Sequence, residues 1–219
     1  MTIELVIFDC DGVLVDSEII ANEQLKKALA DCGLALSLDQ VVAAFVGLSM
    51  AAVVKKAETM LGRALPDDFL AHLQEKTFAA FAQSLKPVPG IEALLQHITA
   101  LPQKICVASS GSFEKMEFTL GLTGLKHFFD GHIFSSSQVA RGKPYPDIYL
   151  YAAKQMDCDP AQCLVIEDSL PGVKGAVAAG MEVLAYSVRG QDKSLAIAGG
   201  MVFSNMVDVA KYLAPSKLS

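Results

Sequence analysis

The sequence predicts an α/β protein in which a doubly wound, Rossmann-like parallel sheet carries an inserted helical domain. Three observations lead to this fold class. An apolar run at residues 3–8 is typical of a strand buried on both faces. Residues 16–84 contain no convincing strand and are rich in helix-forming residues. After a break rich in Pro and Gly at residues 86–90, helices and strands alternate through residue 186.

The helical stretch is expected to contain about four helices. Gly33 is a suitable end for the first helix, and Ser37-Leu38-Asp39-Gln40 matches a capping box that opens the second. Four helices suffice for a small bundle with its own core. We therefore expect a helical cap domain of residues 16–86, inserted into an α/β core domain of residues 1–15 and 87–219.

The core domain continues with alternating elements after the break. Since repeated strand–helix alternation produces parallel strands, all the strands are expected to join the first in one sheet, with helices on both faces. Helices are predicted at residues 91–99, 112–120, 147–156 and 173–179, and strands at residues 104–108, 132–135, 163–166 and 183–186.

Composition limits the class of protein. The 219 residues are 52% hydrophobic with a net charge of −6, which argues for a globular chain and against nucleic acid or an anionic membrane as partner. The five cysteines show no zinc-ligand spacing, and their odd number without a signal peptide favours the cytoplasm. No apolar stretch is long enough to span a membrane, and no feature requires a partner chain, so a cytoplasmic monomer is expected.

Acidic, hydroxyl and lysine side chains lie where the predicted strands end. In open parallel sheets, ligands bind outside the carboxyl ends of the strands, so these side chains are expected to meet. They are Asp9 and Asp11 after the first strand, Ser109 and Ser110 after the second, Lys143 before the helix at 147, and Glu167 with Asp168 after the strand at 163–166.

This set of groups is typical of phosphoryl transfer through a covalent aspartyl intermediate. Acids from two strands would hold Mg²⁺, a serine hydroxyl with a helix N-terminus would hold phosphate oxygens, and a lysine would neutralise charge. Each segment also has an ordinary explanation as a turn, a helix cap or a solvated loop. Placement of all of them at one sheet edge favours the catalytic interpretation.

Four segments in this order resemble the motifs of the haloacid dehalogenase-like superfamily. They are Asp9–Leu14, Val107–Ser109, Gly142–Pro144 and Val165–Asp168. The resemblance covers essentially the whole chain, and the helical insertion is similar to the cap of the β-phosphoglucomutase-like branch, sugar phosphatases included.

The resemblance implies a role for each residue. Asp9 would be the nucleophile, and Asp11 would protonate the leaving oxygen and then activate water. Mg²⁺ would be held by Asp9, the backbone carbonyl of Asp11 and Asp168, with Glu167 either a ligand or a neighbour of the ligands. The substrate phosphate would be bound by Ser109, Ser110 and Lys143.

Differences between this sequence and other branches of the superfamily limit which reactions are expected. Dehalogenases of the superfamily lack the second acid, which is present here as Asp11. Phosphonoacetaldehyde hydrolases need a cap lysine near the position of Met50. β-Phosphoglucomutases have a histidine where this chain has Ala21 and an arginine where it has Met50. The expected activity is a Mg²⁺-dependent phosphatase acting on a small phosphorylated metabolite, a sugar or sugar-acid phosphate, with a phosphomutase as the alternative.

Overall fold

The computed structural model describes residues 3–129, 131–187 and 192–213, and the chain divides into two compact units. One unit consists of Met1–Asp16 and Lys86–Ser219, and the other of Ser17–Leu85. Residues 1–2, 130, 188–191 and 214–219, which belong to the expected core ranges of 1–15 and 87–219, lie outside the described residues.

The first unit is built on a parallel sheet that, within the described residues, has six strands in the order β3-β2-β1-β4-β5-β6. In the central register, Phe8 is paired with Val107 on one side and with Ile166 on the other. The residues that follow β1, β2 and β4 therefore emerge at the same edge. The predicted α/β fold class is confirmed. The strands are β1 (Leu5–Phe8), β2 (Lys104–Ser109), β3 (Ile133–Ser135), β4 (Cys163–Glu167), β5 (Glu182–Tyr186) and β6 (Met201–Phe203).

The second unit is entirely helical in its regular structure. Its helices are α1 (Glu18–Asp31), α2 (Leu38–Phe45), α3 (Met50–Leu61) and α4 (Phe69–Ser84). The capping box at the start of α2 is present, because Ser37 accepts from the backbone of Gln40 while the Gln40 side chain accepts from the backbone of Ser37. A separate apolar cluster that includes Leu29, Val41 and Phe69 forms the core of this unit.

Helices cover the sheet of the first unit. They are α5 (Ile91–Thr99), α6 (Phe113–Leu122), α7 (Asp147–Gln155), α8 (Leu170–Ala178), α9 (Asp192–Ile197) and α10 (Met206–Leu213). All four residues of β1 are buried, as the apolar run predicts for a strand covered on both faces. The side chains of Ile7, Val165, Tyr149 and Val173 share one apolar cluster that joins the sheet to α7 and α8. Burying each large aliphatic side chain stabilises the fold by about 1.5–3 kcal/mol.

The element boundaries differ from the sequence prediction at several points. Helix α8 begins at Leu170 and not at Val173, because Pro171 is compatible with the first turn of a helix, where its missing N–H has no intrahelical partner. Strand β6 and the last two helices were not predicted from the sequence. Strand β6 has three residues and no buried one, so it carries no apolar pattern. No helix among the described residues is long and apolar enough to cross a membrane.

Candidate active site

The carboxyl ends of β1 and β4 bring three acidic side chains together. Asp9 directly follows β1, Glu167 ends β4, and Asp168 comes next. One carboxylate oxygen from each of these residues lies within 4.8 Å of the others. The chain order of the sheet reverses between β1 and β4, so the cluster lies at the topological switch point where ligands bind in such folds.

A tight loop after β1 shapes one side of this cluster. Gly12 has a φ of +80°, a backbone conformation that residues other than glycine rarely adopt. Its N–H donates to the Val15 carbonyl at 2.9 Å. A Cβ at Gly12 would lie 2.0 Å from Oδ2 of Asp168. Glycine is therefore required here both by the turn and by the close approach of the Asp168 carboxylate.

Lys143 lies between two of the acids. Its Nζ is 2.6 Å from Oδ1 of Asp9 and 2.6 Å from Oε1 of Glu167, and its side chain is 4% exposed. The loop that carries Lys143 is anchored by Arg141, which donates from Nε and from one terminal nitrogen to the two carboxylate oxygens of Asp147, at 3.1 and 2.8 Å. The Arg141 guanidinium also lies over the ring of Tyr145, 4.4 Å from its centroid.

Glu167 is fully buried, and both of its oxygens accept hydrogen bonds from the protein. Oε1 accepts from Lys143 Nζ and, at 3.1 Å, from the Tyr149 hydroxyl. Oε2 accepts from the backbone N–H of Ser169 at 2.7 Å and from its hydroxyl at 2.9 Å. A Cβ at Gly172 would lie 1.8 Å from Oε1. These contacts fix Glu167 so that it orients Lys143 toward Asp9.

Burial and mutual repulsion perturb the ionisation of this cluster. Burial raises the pKa of the Asp9 carboxyl to about 7; the Lys143 ammonium opposes the rise and the Glu167 carboxylate adds to it. Burial alone would lower the pKa of Lys143, but the Asp9 and Glu167 carboxylates outweigh it and raise that pKa well above its usual range. Lys143 is therefore a permanent cation, whereas the negative charge of Asp9 is incompletely compensated by the protein.

Asp11 lies outside the three-acid cluster. Its two carboxylate oxygens accept from Lys115 Nζ, both at 2.8 Å, and each side chain is 27% exposed. Burial alone would lower the pKa of Lys115, but the adjacent Asp11 carboxylate raises it above its ordinary value. Asp11 thus presents its carboxylate to the α6 side of the site, apart from the three acids that lie together.

The loop after β2 supplies hydroxyl and amide groups. Ser109 is buried, and its Oγ accepts from the Gly111 N–H at 3.2 Å, whereas Ser110 is exposed. Ser135 donates to the Gly111 carbonyl at 2.7 Å, and Ser136 donates to the Ser109 carbonyl at 3.3 Å. These two hydroxyls hold the loop in shape, with the N-terminus of α6 directly after it.

The donor set fits a divalent cation. The carboxylates of Asp9, Glu167 and Asp168 each place an oxygen within 4.8 Å of the others, and the ammonium of Lys143 contacts two of them, Asp9 and Glu167. Clustered carboxylate oxygens are the ligands that Mg²⁺ prefers. Since the oxygens of Glu167 are engaged by Lys143, Tyr149 and Ser169, Asp9 and Asp168 are the better candidates for direct ligands.

Several residues of this site were not predicted from the sequence. Lys115, Tyr149, Ser169 and Gly172 each contact or approach a predicted site residue. One feature of the sequence could have revealed Lys115: it lies in the first turn of a predicted helix, where a lysine faces the positive end of the helix dipole. No feature of the sequence could have revealed Tyr149, since a tyrosine in an apolar helix face is ordinarily a core residue.

Comparison with known proteins identifies the family. The family model of the haloacid dehalogenase-like hydrolases matches residues 3–180. The chain belongs to this family. The predicted family membership and hydrolase class are confirmed.

Relatives and solved structures agree with this assignment. The 6-phosphogluconate phosphatase of Escherichia coli (strain K12) is 31% identical over 194 residues, which cover 88% of this chain and 86% of the relative. A haloacid dehalogenase-family hydrolase from Deinococcus radiodurans, solved with bound phosphate and sodium, is 30% identical with a TM-score of 0.82, covering 98% and 99% of the two chains. A putative β-phosphoglucomutase from Thermotoga maritima is 27% identical with a TM-score of 0.82, covering 96% and 98%.

Proposed function

We propose that this protein is a Mg²⁺-dependent phosphatase that hydrolyses a small phosphomonoester through an aspartyl-phosphate intermediate on Asp9. One observation carries the proposal: the Asp9 carboxylate lies 2.6 Å from a buried lysine, within an acidic cluster at the carboxyl ends of β1 and β4. A nucleophilic carboxylate needs this cationic surrounding, because the phosphoryl group that it attacks is itself negatively charged.

The chemistry uses two carboxylates in succession. An oxygen of Asp9 attacks phosphorus, the bond from phosphorus to the ester oxygen breaks, and Asp11, which enters this step protonated, donates its proton to that oxygen. In the second step Asp11 takes a proton from water as the water oxygen attacks the aspartyl phosphate. The bond between Asp9 and phosphorus then breaks, inorganic phosphate leaves, and Asp9 returns as a carboxylate.

The remaining residues orient and neutralise. Lys143 would neutralise charge that develops on the phosphoryl oxygens, with its position fixed by Glu167. Ser109, the neighbouring Ser110 and the amides at the start of α6 would hold the other phosphate oxygens. Asp9, Asp168 and the backbone carbonyl of Asp11 would hold Mg²⁺, which when bound supplies the positive charge that lets a phosphate approach these acids.

The substrate class proposed is a sugar phosphate or sugar-acid phosphate. The 6-phosphogluconate phosphatase, 31% identical over most of both chains, supports it. The putative β-phosphoglucomutase among the similar structures keeps a phosphomutase as second candidate. Against the mutase, Ala21 provides no imidazole where a mutase has a histidine, and Met50 provides no guanidinium to hold a second phosphate. We further propose that the protein acts as a cytoplasmic monomer.

The test is phosphate release from a panel of sugar, sugar-acid, nucleotide and short-chain phosphates, with Mg²⁺ and with EDTA. The Asp9→Asn variant serves as the control for contaminating phosphatases. Release that requires both Mg²⁺ and Asp9 is expected, strongest on sugar or sugar-acid phosphates. No release from any ester, together with conversion of an aldose 1-phosphate to its 6-phosphate, would instead establish the mutase.

A further inference from the structure

Lys115 makes a two-point contact with the carboxylate to which the proposed mechanism assigns both proton transfers. Its Nζ lies 2.8 Å from each carboxylate oxygen of Asp11, although the two residues are 104 positions apart in the chain. Both side chains are mostly buried, with 27% of each exposed. Contact with both oxygens restrains rotation of the carboxylate about its last side-chain bond, which a single hydrogen bond would not do.

The location of Lys115 on its helix argues against an incidental ion pair. It is the third residue of α6, after the N-cap Ser112, whose side chain accepts from the Lys115 N–H at 3.2 Å. At this position the favoured residues are Glu and Gln, and a cation faces the positive end of the helix dipole. A residue that conflicts with its local element is expected where a functional contact compensates for the conflict.

Lys115 also lies beside the loop that follows β2. A Cβ placed on Gly111 would have three close neighbours: Ser109 Oγ at 3.6 Å, Asp11 Oδ2 at 3.7 Å and Lys115 Cδ at 3.8 Å. The hydroxyl expected to bind phosphate, the carboxylate expected to move protons and the lysine stem therefore surround one glycine. Gly111 leaves the space that a side chain would otherwise fill between them.

We propose that Lys115 is a positioning residue of the reaction: its ammonium group holds the Asp11 carboxylate in the orientation needed to reach the ester oxygen and the attacking water. This inference rests on the proposed function, because it assigns Lys115 a role through Asp11. It predicts that Lys115 contributes to the rate only as long as Asp11 is a carboxylate.

The test is a double-mutant cycle of Lys115→Met and Asp11→Asn, with kcat and KM measured on an aryl phosphate. Methionine retains most of the lysine stem and removes the ammonium. Misplacement of a catalytic group by about 1 Å costs about 100-fold, so Lys115→Met is expected to lower kcat about 100-fold in the wild-type background. In the Asp11→Asn background the same change is expected to lower kcat less than about threefold, because coupled residues are not additive.

Two controls separate positioning from general destabilisation. Lys126→Met removes the ammonium of another lysine that pairs with an acid of α6, Glu117, at a more exposed position, and it should leave kcat unchanged. Lys115→Arg retains a two-point cation and should recover part of the lost rate. Equal losses from Lys115→Met in both backgrounds, or wild-type kcat in Lys115→Met, would overturn the proposal.

A structural measurement keeps this test independent of the proposed function. Crystal structures of the wild-type protein and of Lys115→Met are expected to differ in the orientation of the Asp11 side chain. An identical orientation in the two would overturn the positioning role even if no substrate is turned over. If the wild-type protein were inactive on every ester and Asp11 were displaced in Lys115→Met, the phosphatase proposal would be refuted. The conclusion that Lys115 orients Asp11 would still hold.

Discussion

Gly172→Ala is the sharpest single perturbation that the site offers. The added Cβ would lie 1.8 Å from Oε1 of Glu167 and 2.0 Å from its Cδ, far inside van der Waals contact. Gly172 is buried in α8, and Glu167 is fully buried, so neither can move into solvent without disrupting its neighbours. The carboxylate must shift, and the hydrogen bonds from Lys143 and Tyr149 to Oε1 are the contacts that it loses.

The magnitude follows from those two bonds. Each hydrogen bond to a charged group contributes about 1.5–3 kcal/mol, so losing both costs about 3–6 kcal/mol. Replacing glycine by alanine within a helix stabilises the folded state by about 1 kcal/mol, which offsets part of this loss. The net loss of about 2–5 kcal/mol in the free energy of unfolding corresponds to a fall in Tm of about 4–20 °C for a chain of this size. Because Glu167 orients Lys143, kcat is expected to fall about 100-fold as well.

Thermal unfolding by circular dichroism and steady-state kinetics measure both effects. Gly121→Ala is the matched control, since Gly121 is also a helical glycine but is exposed and has nothing within 4 Å of a Cβ. That variant should have unchanged kcat and a Tm equal to or above wild type. Gly172→Ala with wild-type Tm and kcat would refute the account of how Glu167 is held.

Three further predictions concern ionisation and the Glu167 contacts. In EDTA, the folded protein binds a proton on Asp9 up to a pKa of about 7, whereas the unfolded chain releases it near 3.8. Stability should therefore fall as pH rises from about 4 to 7, and Asp9→Asn should flatten the dependence of Tm on pH; an equally steep curve would contradict it. In wild type, the Mg²⁺ dissociation constant measured by calorimetry should rise as pH falls below 7, because a protonated Asp9 binds metal poorly. Tyr149→Phe removes the hydroxyl that donates to Glu167 and should cost about 1.5–3 kcal/mol of stability, with kcat about threefold to tenfold lower; unchanged kcat would show that the contacts from Lys143 and Ser169 suffice to hold Glu167.

The part of the site that follows from topology could be predicted from sequence. Asp9 and Glu167 come directly after apolar strand patterns, and parallel strands place such residues at one edge, so their convergence needs no knowledge of side-chain packing. Lys143 was predicted from its place before a helix and from a motif, and the structure brings its ammonium between the same two acids. Whether these residues catalyse the proposed reaction stays a prediction.

Other features depend on side-chain packing, to which sequence patterns give no access. The Lys115–Asp11 pair depends on the rotation of α6 against the sheet. The contact of Tyr149 with Glu167 depends on which face α7 turns toward β4. Ser109 and Ser110 were expected to bind phosphate together, but in the structure Ser109 is buried and Ser110 is exposed. The two differ because the side chains of successive residues leave a strand on opposite sides.

The central claim is that Asp9 carries the phosphoryl group during turnover. Acid quenching of Asp11→Asn a few milliseconds after mixing with Mg²⁺ and the best substrate, followed by peptide mass spectrometry, tests it directly. The account predicts a phosphorylated peptide whose modification lies on Asp9 and is absent from the Asp9→Asn variant. The account would be contradicted if the wild-type enzyme turned over substrate while neither the wild type nor Asp11→Asn carried a phosphoryl group on Asp9. It would also be contradicted if the phosphoryl group were found on another residue.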